Sequence, residues 1–249
     1  MLRKYAVLFV LILSAPLLFA DSTIHHKITA KVDPEKHFLE ASDQITIPAT
    51  QAKSLMHFIL NSNLKVTSET PGVVVALDQT GVKAEDFGMD REDFAASGDF
   101  KQNKYSLTFK EGSTKDVTFT LKFSGVINYP ITQVGEEYAR GFSQTPGIID
   151  AKGVYLGGST YWVPWFNNAW ISFNLTTTMS DPWEVVSQGK RTVHEIRNGV
   201  RVSTWDSPEP MEEIYLIAAR FKEYALSAGA TDVMAFLRTP RRNPCEQVP

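Results

Sequence analysis

The chain has a single cysteine, Cys245, so no disulfide can form within it. It also lacks a surplus of charge. The 25 Lys and Arg are scattered among 28 Asp and Glu, for a formal net charge of −3, which argues against a nucleic-acid-binding surface. No Walker loop, dinucleotide fingerprint, G-x-S-x-G nucleophile elbow or complete H-E-x-x-H zinc motif occurs. Long apolar runs are missing as well, with one exception at the start. There a basic Met1-Leu2-Arg3-Lys4 precedes an almost wholly apolar Tyr5 to Leu18, and Ala20 precedes a polar start at Asp21. This is the form of a secretory signal peptide over residues 1–20, cleaved after Ala20. The run is short for a bilayer span and Pro16 interrupts it, so an uncleaved membrane anchor is the alternative reading. An exported chain without disulfides fits a bacterial periplasm or a secreted protein.

What is present is ample material for a core: 43% hydrophobic residues, 15 Phe and 5 Trp in 249 residues. Four of the tryptophans, Trp162, Trp165, Trp170 and Trp183, fall between Gly153 and Arg191. Within that stretch Ile171, Phe173, Leu175, Thr177 and Met179 alternate with Ser172, Asn174, Thr176 and Thr178, the period of a half-buried strand. Ser180-Asp181-Pro182 ends it and Trp183 starts another strand toward Gly189. The same pattern predicts a hairpin from Thr23–Val32 and His37–Ile47 around Asp33-Pro34-Glu35-Lys36. Further strands are expected at Ser54–Leu60, Leu64–Glu69 and Val73–Leu77. Tyr105, Leu107 and Phe109 set against Val117, Phe119, Leu121 and Phe123 predict a hairpin between 104–110 and 115–124. Asn198-Gly199 predicts another between 191–197 and 200–205. Residues 128–152 read as loop, and Ser207-Pro208-Glu209-Pro210 as a break. Met211–Leu226 carries both helical and alternating periodicity, with helix favoured by periodicity alone, and Asp232–Leu237 reads as a strand. About a dozen strands and at most one helix make the fold all-β, a sandwich or saddle of sheets.

Few residues invite chemistry. Residues 78–103 hold Glu85, Asp86, Asp90, Glu92, Asp93 and Asp99 but lack the regular spacing and central Gly of a calcium loop, so they read as a solvated insertion. His194-Glu195-Ile196-Arg197-Asn198 begins like H-E-x-x-H, yet Asn198 replaces the second histidine and Asn198-Gly199 makes the segment a β-turn. His25 and His26 are neighbours on a strand and point to opposite faces, so they cannot share a metal; one exposed and one partly buried histidine is expected. Ser159, in Gly157-Gly158-Ser159-Thr160, reads as a strand-end turn. Asn174-Leu175-Thr176 is a formal glycosylation acceptor inside a strand.

Several elements together resemble the non-catalytic N-terminal domain of the aminopeptidase N family of zinc peptidases. They are Trp162-Val163-Pro164, Phe173-Asn174-Leu175, Asp181-Pro182-Trp183, Ser187-Gln188-Gly189 and Tyr215-Leu216-Ile217-Ala218. The likeness spans Ile24 to Pro240 and is strongest after Gly153. It implies a saddle-shaped, mostly antiparallel β domain over 21–240 that packs on a thermolysin-like catalytic domain. It also implies a strand rather than a helix at Tyr215–Ala218. One substrate-pocket residue of that family's N-terminal domain, often Gln, corresponds here to Tyr155.

The zinc ligands and the G-x-M-E-N loop of the family's catalytic domain are absent, and Glu209-Pro210-Met211-Glu212-Glu213 is an incomplete echo of that loop. The expectation is therefore a catalytically inert chain with no metal of its own, although complete family members hold zinc. Its expected partner is the missing catalytic domain, with a peptide as possible ligand and membrane contact only through an uncleaved signal segment. Residues 241–249 match nothing in the family and suggest a truncated or frameshifted product of a longer gene. The alternative is a free-standing exported β-sandwich module that binds a peptide, a glycan or a partner protein.

Overall fold

In the computed structural model, residues 23–82, 100–109, 115–137, 140–167, 169–229 and 231–239 are described. The signal segment, the acidic residues 83–99, Cys245 and the tail 241–249 lie outside them. Eighteen strands and one short 3-10 turn make the described residues all-β.

A seven-stranded sheet forms one layer. It contains β1 (Thr23–Asp33), β2 (Phe38–Ile47), β4 (Leu64–Ser68), β7 (Val117–Val126), β12 (Trp170–Ser180), β14 (Lys190–Arg197) and β15 (Val200–Met211). Their order is β14-β15-β12-β1-β2-β7-β4, antiparallel throughout except that β1 runs parallel to β12. A three-stranded sheet contains β3 (Leu55–Asn61), β6 (Gln102–Phe109) and β5 (Val73–Val82), in that order. A four-stranded sheet orders β10 (Ile148–Asp150), β11 (Gly153–Leu156), β16 (Leu216–Ala219) and β13 (Glu184–Val186). Two ribbons complete the chain: β8 (Thr132–Glu137) with β9 (Arg140–Gln144), and β17 (Lys222–Ala228) with β18 (Thr231–Leu237).

One apolar core joins the seven-stranded sheet to both smaller sheets. β12 is its spine. Ile171, Phe173, Leu175, Thr177 and Met179 are all buried, and Thr177 is accommodated because its hydroxyl donates to the Ser203 carbonyl at 3.2 Å. Trp162, Trp183 and Trp205 are buried, and the first and last place their indole N–H on the Ile214 and Val185 carbonyls at 2.9 and 3.2 Å. Trp170, by contrast, is half exposed.

The hairpins β1–β2 and β14–β15 form as the alternation predicts. At the second, Asn198 and Gly199 both have positive φ, 51° and 75°, as a two-residue hairpin turn requires. Other expectations are corrected. β6 and β7 do not form a hairpin: β6 pairs with β3 and β5, whereas β7 pairs with β2 and β4. Phe109 and Phe119 instead meet across the sandwich at 5.5 Å between ring centroids, because alternation marks an inward face without saying which sheet supplies the neighbour. Residues 128–152 carry β8, β9 and β10 rather than loop alone. β15 continues through Pro208 and Pro210, absorbed by a shift in its register with β12 between Ile171 and Phe173. The helix reading of 211–226 is replaced by β16 and the start of β17, as the family resemblance implies.

His25 and His26 do face opposite ways. His25 Nδ1 lies 2.9 Å from the Ser172 hydroxyl, while His26 is fully buried, with Nδ1 at 2.7 Å from Asp43 Oδ2. The expected exposed histidine is thus half-buried and the partly buried one sits in the core.

Candidate functional site

The four-stranded sheet turns Ile149, Val154, Leu156, Val185, Leu216 and Ala218 into the core. Its opposite face carries a row of directly paired, half-buried side chains: Ile148, Tyr155, Ile217 and Val186, one from each strand. Tyr155, the residue expected to line a substrate pocket, is therefore on the outward face and within a mostly apolar strip.

Beside it, the 3-10 turn Gly158–Thr160 follows β11 and is pinned from several sides. The Thr160 hydroxyl donates to the Pro146 carbonyl at 2.5 Å and accepts the Gly157 N–H at 3.1 Å. Glu213 reaches over the turn, with Oε2 accepting the Gly158 N–H at 2.9 Å and Oε1 accepting the Tyr215 hydroxyl at 2.5 Å. Gln188 holds this segment in place by donating to the Glu213 carbonyl at 3.1 Å and accepting the Tyr215 N–H at 2.8 Å. The Ser187 hydroxyl donates to the Tyr215 carbonyl at 2.6 Å. The Tyr155 and Tyr215 rings are 6.5 Å apart, and a side chain at Gly157 would meet both of them. Burial, and then the negative charge of Glu213, raise the Tyr155 phenol above its ordinary pKa, so it remains a protonated donor at neutral pH.

A phenol, a carboxylate and an apolar strip can hold and orient a peptide or an amine. They are not a nucleophile with its base. Ser159 lies in the turn as expected. The sequence reading set Glu213 aside as part of an incomplete motif; its nearness to Tyr155 depends on pairing between β11 and β16, which spacing does not reveal.

The sequence reading also missed a second cluster. Glu184, His194 and Glu223 bring potential metal-binding atoms within 4.8 Å of one another. Two guanidinium groups already occupy it. Arg191 grips both Glu223 oxygens, at 2.8 and 2.5 Å, and Arg201 lies 2.9 Å from Glu184 Oε1 and 3.0 Å from His194 Nε2. Arg201 also donates to Asp181 at 2.6 Å. The remaining ligand nitrogen, His194 Nε2, is 2.8 Å from Glu184 Oε2. A zinc ion would have to displace two cations, so the donor set does not fit a metal and reads as an ion-pair network joining β13, β14, β15 and β17.

No protein-family model matches the sequence, and no curated protein matches it. Among solved structures, the chain is similar to the M1 zinc metallopeptidase of Deinococcus radiodurans. Against its E323A mutant the TM-score is 0.50 at 14% identity, covering 85% of this chain and 45% of that one. The same mutant bound to a Tyr-Ser-Ala substrate gives 0.49, and the enzyme without the mutation 0.48, with the same identity and coverage. The chain thus spans less than half the length of the structures it matches, and at this identity the likeness is one of fold.

Proposed function

We propose that this chain is the non-catalytic, N-terminal β domain of an aminopeptidase N-like zinc metallopeptidase. In this reading it packs against a catalytic domain and lends Tyr155 to the wall of a peptide-binding site. The observation that carries the reading is the fold shared with 45% of a metallopeptidase chain over 85% of this one. It is supported by the half-buried row Ile148, Tyr155, Ile217 and Val186 on the outward face of the four-stranded sheet, the kind of mostly apolar strip that a second domain covers. A saddle-shaped packing face and export through residues 1–20 belong to the same reading.

In that role the residues of this chain bind and orient. The Tyr155 hydroxyl offers a proton to a carbonyl or amine of a bound peptide, Glu213 fixes Tyr215 and the Gly158 turn beside it, and the strip excludes water from that side. In a complete enzyme the zinc would supply Lewis acidity and an activated water, and its ligands would come from the catalytic domain.

The test is hydrolysis of aminoacyl-anilides by the purified chain with and without added zinc. No turnover above background is expected; zinc-dependent turnover would refute a non-catalytic role. Export is checked by sequencing the N-terminus of the protein recovered from cells, where the reading expects a start at Asp21.

A further inference from the structure

We infer that the outer edge of β3 is a docking site for an extended peptide that carries a carboxylate at its C-terminal end. This inference goes beyond the reading above and stands independently of it.

β3 is the terminal strand of the three-stranded sheet, with β6 on one side. On its other side Ile59 exchanges both backbone hydrogen bonds with Trp165, each at 2.9 Å, and the Asn61 N–H donates to the Tyr161 carbonyl at 2.8 Å. In an antiparallel ladder every second residue directs its N–H and C=O to the same neighbour. The backbone groups of His57 and Leu55 therefore point the way that Ile59 points, away from β6. The Ser54 carbonyl, in the alternate set, accepts the Phe109 N–H at 3.0 Å on the β6 side, as this parity requires.

The chain that covers Ile59 then turns away, with the Ala169 N–H donating back to the Phe166 carbonyl. Among the described residues no backbone group takes its place opposite His57 and Leu55. The space left is an open groove of about 500 Å³ between that edge and Trp165, Phe166, Asn167 and Ala169. Met56, Phe58 and Ile24 add apolar lining.

The charges on the groove choose the occupant and its direction. Lys53, His57 and Lys104 line it, and among the described residues no acidic one does. Asp78 is paired with the inner part, 3.6 Å from His57 and 3.3 Å from Lys104, whereas Lys53 is exposed at the far end of the edge, beyond Leu55. A peptide that continues the antiparallel sense set by Trp165 runs from Ile59 toward Leu55, so its C-terminus arrives at Lys53. The parallel orientation would bring an ammonium group there instead. Strand addition of about four residues satisfies the free edge groups, and the terminal carboxylate pairs with the lysine.

The experiment uses fluorescence anisotropy with the full chain and a fluorescein-labelled hexapeptide of alternating valine and threonine with a free C-terminal carboxylate. Saturable binding is expected, about five- to tenfold weaker for the C-terminal amide and for the Lys53→Glu variant. Binding is expected to vanish when alternate peptide nitrogens, those facing the edge, are methylated. Near-UV circular dichroism of Lys53→Glu, with Lys53→Gln as a second variant, separates loss of the site from loss of the fold. The proposal is overturned by absence of saturable binding, by equal affinity for acid and amide, or by indifference to methylation. It is also overturned if sedimentation velocity shows that a second copy of the chain occupies the edge and excludes the peptide.

Discussion

Replacing Asp43 by alanine is expected to destabilise the fold by about 3 kcal/mol. Asp43 and His26 are fully buried on neighbouring strands, and their hydrogen bond at 2.7 Å is the polar contact each makes inside an apolar layer. His26 Nε2 and Asp43 Oδ1 have no further partner among the described residues. Truncating one member leaves the other desolvated and unpaired. An orphaned buried polar group costs ~1–3 kcal/mol, and the full burial of both partners places this one at the upper end. Replacing both with apolar residues of similar volume, His26→Leu with Asp43→Leu, removes both orphans. Such exchanges elsewhere are neutral or gain ~1–4 kcal/mol. The assay is urea unfolding followed by tryptophan fluorescence, since Trp162, Trp183 and Trp205 are all buried. Each single variant should lower the midpoint strongly and the double variant should restore it. Single substitutions costing under ~1 kcal/mol, or a double variant costing the sum of the singles, would refute the reasoning.

Three further outcomes are expected. The Arg191 fork holds the Glu223 carboxyl below its ordinary pKa of 4.5, so this group adds stability at neutral pH that is lost as pH falls through its lowered folded-state value. Glu223→Gln should therefore cost about 1 kcal/mol at pH 7 and less as the pH is lowered, measured as urea midpoints along a falling pH series. A Cβ at Gly125 would stand 2.0 Å from the Asn63 carbonyl oxygen, so Gly125→Ala must force β7 from β4 and should lower thermal stability by more than ~2 kcal/mol. Tyr155→Phe should leave the stability of the isolated chain within ~0.5 kcal/mol. In a complete enzyme it should weaken peptide affinity, read as a higher KM.

The parts of the fold that were legible in the sequence combine alternation with a turn signal. β12 reads directly because its inward residues recur at every second position over eleven residues, and β14–β15 because Asn198-Gly199 has one natural geometry. The failures have physical causes. β6 and β7 both face the core, and periodicity cannot separate a neighbour within a sheet from one across the sandwich. β10 and β11, of three and four residues, are too short to show a period, although each buries residues in the core. Tyr155 was singled out only through a family likeness. Its neighbours Glu213, Gln188 and Tyr215 come to it where β13 and β16 pair, whereas Glu184 and Glu223 reach their arginines from other sheets, which no spacing reveals.

The most direct test of the account is to sequence the gene in all frames past the codon for Pro249, over about a kilobase, room for two further domains of typical size. The account expects a frame that encodes a helix bearing H-E-x-x-H and a more distant Glu, the zinc ligands of the proposed catalytic domain. A region with no such coding sequence in any frame would contradict it.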